Sequence, residues 1–268
     1  MRIALGAFKR DARYRCVDLV ACLFCRLRIR GGPYRGMRFL QLRPGSSLAP
    51  KLIGSYEAEI IPVLDWVRRA GFEQIVNIGS AEGYHAIGLI RDDAGTWVDA
   101  FEIDARRRAE LARSAAKNGV AGRVRQHGVA TPITVRAVLA GAREPFLLVD
   151  IEGGERDVLD PAQVPGLRQA WMLVELHPGL CPDVEPTLQG RFAATHRLFR
   201  FDHLAWPDRR ARARKVAPFH WLERINVFHH ERRGIATPWL LMIPRAAARP
   251  FAWDVVADAV ELGAARDG

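Results

Sequence analysis

Along the middle of the chain, short continuous apolar runs alternate with stretches in which apolar residues recur every three or four positions. Ile75, Val76 and Ile78 form the first run. The glycine-bounded turn Gly79–Gly83 follows it, and Ala86, Ile87, Leu89 and Ile90 then resume at helical spacing. Trp97–Phe101, Val124–Gln126, Phe146–Asp150 and Ala170–Glu175 read as four further strands. The helices between them are marked by their ends. Asp104 caps one that carries Leu111 and Ala115 and stops at Asn118-Gly119, and Thr131–Leu139 supplies another. Ahead of the first strand, Ile60, Ile61, Val63, Leu64 and Val67 give one apolar helix face that Gly71 ends, with Ser55, Tyr56 and Glu57 at its start as cap or as ligand contacts. Leu198–Phe201 and Trp239–Ile243 read as a sixth and seventh strand, and Ala252–Leu262 as an amphipathic helix. Leu27–Arg30 and Met37–Leu42, separated by Gly31, Gly32, Pro33 and Gly36, suggest a hairpin. The expected fold is therefore α/β, a doubly wound, Rossmann-like sheet. Its expected parts are a basic helix and hairpin extension (1–54), the α/β domain (55–250) and a C-terminal helix and tail (251–268).

A tight glycine turn that opens a helix lets a ligand approach bare backbone, and the amides at the helix start favour an anionic group. Glu102 ends the second strand roughly twenty residues further on, where doubly wound folds place an acid to grip ribose hydroxyls. Together these residues make a candidate nucleoside site. His127, Gly128, Val129 and Ala130 leave the third strand into the same crevice and would face the base. Asp150 and Glu152 follow the fourth strand, and Glu175 and His177, two apart, leave the fifth on one side. The turn lacks the paired early glycines of a nicotinamide fingerprint, which disfavours a dehydrogenase.

The 268 residues, 49% hydrophobic, suffice for one sizeable core. The formal charge is +10, and because Lys9, Lys51, Lys117 and Lys215 are the only lysines, the excess is arginine. Arginine suits phosphate and carboxylate partners, but genome composition produces the same bias. Four unevenly placed cysteines make no disulfide framework and suit a reducing, cytoplasmic compartment. Cys22 and Cys25 have ligand spacing without a second pair, and read as buried thiols. The apolar run Cys16–Cys25 is too short to span a bilayer. Flanked by arginines, it suits either an anionic membrane surface or packing on the domain. A basic tract, Asp208–Lys215, reads as a solvated loop, with nucleic acid or a phosphorylated substrate as the alternative.

Four blocks, VNIGSAEGYH, AFEID, LLVDIEGGERDVL and LVELH, resemble in order and spacing the motifs of the FkbM family of S-adenosylmethionine-dependent methyltransferases. The third block is the most specific, since Asp150, Glu152, Gly153 and Glu155 match the family's Asp-Val-Glu-Gly-Ala-Glu. Asn77 stands where the family's first motif has an acid and Ala81 where it has Asn, and Glu82 adds a carboxylate inside the turn. The resemblance spans roughly Tyr56 to His177. It implies a class I methyltransferase sheet with S-adenosylmethionine as cofactor. Asn77, Gly79, Ala81, Glu82, Gly83, Glu102, Ile103, Gly128, Val129 and Asp150 would surround that cofactor, with Asp150, Glu152 and His177 at the reacting methyl. Glu155, inside the following helix, reads as its cap.

The expected activity is O-methylation of a hydroxyl on a small-molecule or glycan-like acceptor; it is read as metal-free, because the resemblance demands no ion and the motif offers no dedicated cage, against a version in which the same acids and His177 bind a metal. Two alternatives stand beside it. One is an RNA methyltransferase, which the charge favours; it lacks the Asn-Pro-Pro-aromatic motif of amino-directed enzymes. The other is a non-catalytic protein bound to a membrane surface or a partner, in which Asn77 and Ala81 mark a decayed site.

Overall fold

The computed structural model of the chain describes residues 18–39, 48–204 and 237–263. The tract Asp208–Lys215 lies outside them. The chain divides into two compact units, residues 1–61 with 204–234 and residues 62–203 with 235–268.

In the smaller unit, helix α1 covers residues 18–25 and α2 covers Leu48–Ile53. The Asp18 carboxylate accepts the Ala49 amide at 3.1 Å, and burial pushes that carboxyl up to about 6 despite the bond. Leu19, Leu23 and Phe24 stay exposed on α1. Cys25 is buried as expected, whereas Cys22 is only half-buried. Of the expected hairpin, the described residues hold one antiparallel bridge, Arg28 to Arg38, and residues 40–42 lie outside them. Helix α3, Ile61–Arg69, which belongs to the larger unit from Pro62 on, begins after Ser55, Tyr56 and Glu57, so these residues precede it in the chain and are not its cap. Tyr56 instead carries the Lys51 ammonium 4.9 Å above its ring.

The larger unit holds an eight-stranded sheet: β1 Gln74–Ile78, β2 Trp97–Phe101, β3 Val124–His127, β4 Phe146–Val149, β5 Trp171–Glu175, β6 His196–Phe201, β7 Trp239–Pro244 and β8 Val260–Leu262. Their order is β3-β2-β1-β4-β5-β7-β6-β8. The first five are parallel, and β7 enters antiparallel between β5 and β6. The order reverses between β1 and β4, the switch point at which doubly wound sheets open a crevice at their strands' carboxyl ends. The fold class expected from the sequence is the fold observed. Strands β1, β4, β5 and β7 are buried throughout, which is why they read as continuous apolar runs. Helices α4 Tyr84–Ile90, α5 Ala105–Lys117, α6 Pro132–Val138, α7 Glu155–Val158 and α8 Val184–Phe192 connect the strands. Asp104 and Thr131 cap α5 and α6 through their side chains. No helix among the described residues is long and apolar enough to cross a membrane.

The C-terminal segment departs from expectation. Ala252–Leu262 has helical periodicity, yet the chain forms one 3₁₀ turn at Trp253–Val256 and then β8, which pairs with β6. The open edge of β6 offers unpaired backbone groups, and pairing with it outweighs a weak local preference. Side chains reinforce this choice. Arg197 on β6 binds Glu261 through two nitrogens at 2.7 and 3.0 Å and lies 4.1 Å above the Trp253 ring.

At the start of β6, His196 is fully buried, with Nε2 donating to the Ala170 carbonyl at 3.0 Å and Nδ1 receiving the Thr195 hydroxyl at 2.8 Å. Burial pulls its pKa down from 6.5 to about 4. Between those two values the unfolded chain binds the extra proton and the folded chain does not, so stability falls as pH is lowered from about 6.5 to 4. The expected loss is about 3 kcal/mol. Denaturant melts at several pH values should show this slope in the wild type and lose it in His196→Gln.

Candidate functional site

The crevice at the carboxyl ends of β1, β2 and β4 is a cleft of about 530 Å³. Gly79, Ala81, Glu102, Ile103, Gly128, Val129, Asp150 and Glu152 are among its lining residues. Arg107 and Asp157, which the sequence did not single out, line it as well. Asn77, Glu82 and Gly83 are not among the lining residues. Asn77 and Glu82 are buried, and the Asn77 amide donates to the Leu148 carbonyl of β4 at 3.3 Å.

The turn after β1 is pinned to the end of β2. The Gly79 and Ser80 amides both donate to the Phe101 carbonyl, at 3.0 and 2.9 Å, and the Gly83 amide donates to Ser80. Glu102 holds the turn from the other side, one oxygen accepting the Ala81 amide at 2.9 Å and the other the Asp104 amide at 2.8 Å. Four amides of this turn are thus spent inside the protein, and the Glu102 carboxylate that holds one of them lines the cleft. Gly79, at φ +86°, passes so close to β4 that a Cβ on it would lie 1.7 Å from the Asp150 carbonyl oxygen. Below the cleft, His127 stacks on Phe101 and bonds Asp99 at 2.9 Å, which fixes the start of the Gly128–Ala130 loop.

A second group of side chains meets where β4 and β5 end. His177 is buried, and its Nδ1 lies 2.7 Å from Oε1 of the fully buried Glu155. The same Glu155 oxygen accepts the amides of Ile151 and Gly153, at 3.3 and 3.2 Å. Glu155 is therefore not the helix cap expected of it, a position Gly154 takes. It ties the loop after β4 to the imidazole after β5. Burial acts to raise the Glu155 pKa, but the His177 contact and the loop amides offset it and hold the carboxyl below the usual range. Burial acts to lower the His177 pKa, and the Glu155 hydrogen bond with the charges of Glu155, Asp150 and Glu152 outweighs it, so the imidazole is raised above 6.5. An ionised Glu155 keeps a proton on Nδ1 and turns Nε2 away from it. Nε2 lies 3.6 Å from Asp150, 3.6 Å from Glu152 and 3.9 Å from Glu175. The structure brings Asp150, Glu152 and His177 together and adds Glu155 and Glu175 to them.

No family model matches the chain, and no curated protein sequence matches it. Solved structures do resemble it. An O-methyltransferase from Bacillus cereus in complex with SAH is 13% identical, with 88% of this chain and 91% of that one covered and a TM-score of 0.47. A SAM-dependent methyltransferase from Geobacter sulfurreducens in complex with S-adenosyl-L-homocysteine is 13% identical over 70% of this chain and 91% of its own, with a TM-score of 0.43. The O-methyltransferase TomG from Streptomyces achromogenes, involved in tomaymycin synthesis and in complex with SAM, is 16% identical over 68% and 78%, with a TM-score of 0.39. These are distant likenesses.

The spacing between Gly79 and Glu102 made the cleft findable in the sequence. Glu175 was findable as the residue two before His177 on the same strand face. The contact between Glu155 and His177 joins segments 22 residues apart, and no local pattern encodes it.

Proposed function

We propose that the chain is an S-adenosylmethionine-dependent methyltransferase of the FkbM type that methylates a hydroxyl of a small-molecule or glycan-like acceptor. The observation that carries this reading is the shared crevice: an anchored carboxylate, Glu102, at one end of the cleft and a carboxylate–imidazole group at its β4 end. The cleft has the size of a small-molecule site, and Gly79, whose missing Cβ makes room for the Asp150 carbonyl, lines it. Glu102 is suited to accept the two ribose hydroxyls, since each of its oxygens has a lone pair beyond the amide it already holds. Ile103 and Val129, exposed apolar side chains among the lining residues, suit the faces of an adenine ring.

When bound, the cofactor supplies a methyl carbon on a sulfonium that an acceptor oxygen displaces in line, the C–S electron pair leaving on sulfur. The protein's part is alignment and removal of the hydroxyl proton. In this reading Asp150 and the exposed Glu152 take that proton, beside an imidazole, His177, that Glu155 holds in position. Incubating the protein with methyl-labelled S-adenosylmethionine and pools of hydroxylated metabolites and oligosaccharides should transfer label to an acceptor oxygen, read by mass spectrometry. Label found only on RNA or on nitrogen would refute the O-directed reading.

A further inference from the structure

We propose that Asp150, Glu175 and His177 bind a divalent cation of the magnesium or manganese class. The role of that ion, holding the acceptor hydroxyl, rests on the methyltransferase reading above; the binding itself does not.

One donor atom from each of the three residues lies within 4.8 Å of the others. His177 is 6% exposed, and among the described residues its Nε2 makes no hydrogen bond. That nitrogen points into the group, with carboxylate oxygens of Asp150, Glu152 and Glu175 at 3.6 to 3.9 Å, outside hydrogen-bonding range. Once Nε2 is deprotonated, its lone pair faces the space bordered by the Asp150 and Glu175 oxygens, and a cation there would be ligated by all three. Glu155 supplies the support that such a ligand needs, since a metal-bound imidazole ordinarily donates its other N–H to a carboxylate, and here Nδ1 and Glu155 are 2.7 Å apart. Two carboxylates and one imidazole suit a hard cation, and three protein ligands leave coordination positions open. Asp150 lines the cleft, which puts the group at the cleft's β4 end. A hydroxyl bound there loses its proton more readily. Its O–H bond breaks towards Glu152, the O–C bond forms, and the C–S bond breaks with its electron pair left on sulfur. The competing account of the same geometry is a protonated His177 that forms ion pairs with the surrounding acids and binds no metal.

Metal-free full-length protein titrated with Mn²⁺, followed by the electron paramagnetic resonance of the free ion, separates the two accounts. We expect one Mn²⁺ per chain and a nitrogen hyperfine coupling from the imidazole in the wild-type complex. Glu175→Gln should weaken binding by at least about 10–100-fold, the loss typical even of a supporting group around a metal. No bound Mn²⁺ at millimolar concentration, or bound Mn²⁺ without the nitrogen coupling, overturns the proposal. The coupling is read on the wild type, so it decides even if the variant does not fold. Calorimetry with S-adenosylhomocysteine on the same sample tests the other reading separately: Mn²⁺ bound as described with no homocysteine-adduct binding would refute the methyltransferase and leave the ion site standing.

Discussion

Gly79→Ala will cost the larger unit about 3 kcal/mol or more and remove binding of S-adenosylhomocysteine. Two effects add. A non-glycine residue at φ +86° is strained by about 1–3 kcal/mol, and the new Cβ would sit 1.7 Å from the Asp150 carbonyl oxygen, a backbone atom that moves only if β1 and β4 part. The clash lies at the floor of the proposed cofactor cleft, so affinity falls even if the protein stays folded. Gly119→Ala is the control, because φ there is +72° and a Cβ meets nothing within 4 Å. It should cost only about 1–2 kcal/mol. Equal losses in the two variants, by denaturant titration, would show that the close approach of β1 to β4 does not matter.

Asp150→Asn and Glu152→Gln should each slow the methyl-transfer step about 10²–10⁴-fold and change cofactor affinity little. Both carboxylates lie 3.6 Å from Nε2 of His177 at the β4 end of the cleft, away from Glu102. Single-turnover rates with binding measured in parallel test this. Near-wild-type rates in both variants would remove the proposed roles.

The larger unit was legible because its parallel strands are covered on both faces, so that β1, β4 and β5 appear as unbroken apolar runs bounded by turn residues. Glu102 was legible as a residue of the cleft because it ends the second strand of a doubly wound sheet, beside the turn that leaves the first. The C-terminal strand was not. The Ala252–Leu262 pattern fits a helix, and only the unpaired edge of β6, with Arg197 waiting for Glu261 and Trp253, makes a strand the better outcome. The hub at Glu155 was missed for a related reason. Its position after two glycines reads as a cap, and its actual partners are two amides of its own loop and an imidazole that the fold delivers from β5.

Calorimetric titration with S-adenosylhomocysteine, run on the wild type and on Glu102→Ala, tests the central claim most directly. The account predicts a single site in the wild type and a loss of about 1.5–3 kcal/mol of binding free energy in the variant, the value of charge-assisted hydrogen bonds to the ribose. Because Glu102 also holds the Ala81 and Asp104 amides, the variant's fold is checked by its melting curve. A folded wild type that binds no S-adenosylhomocysteine, or a folded Glu102→Ala that binds it as well as the wild type does, would contradict the account.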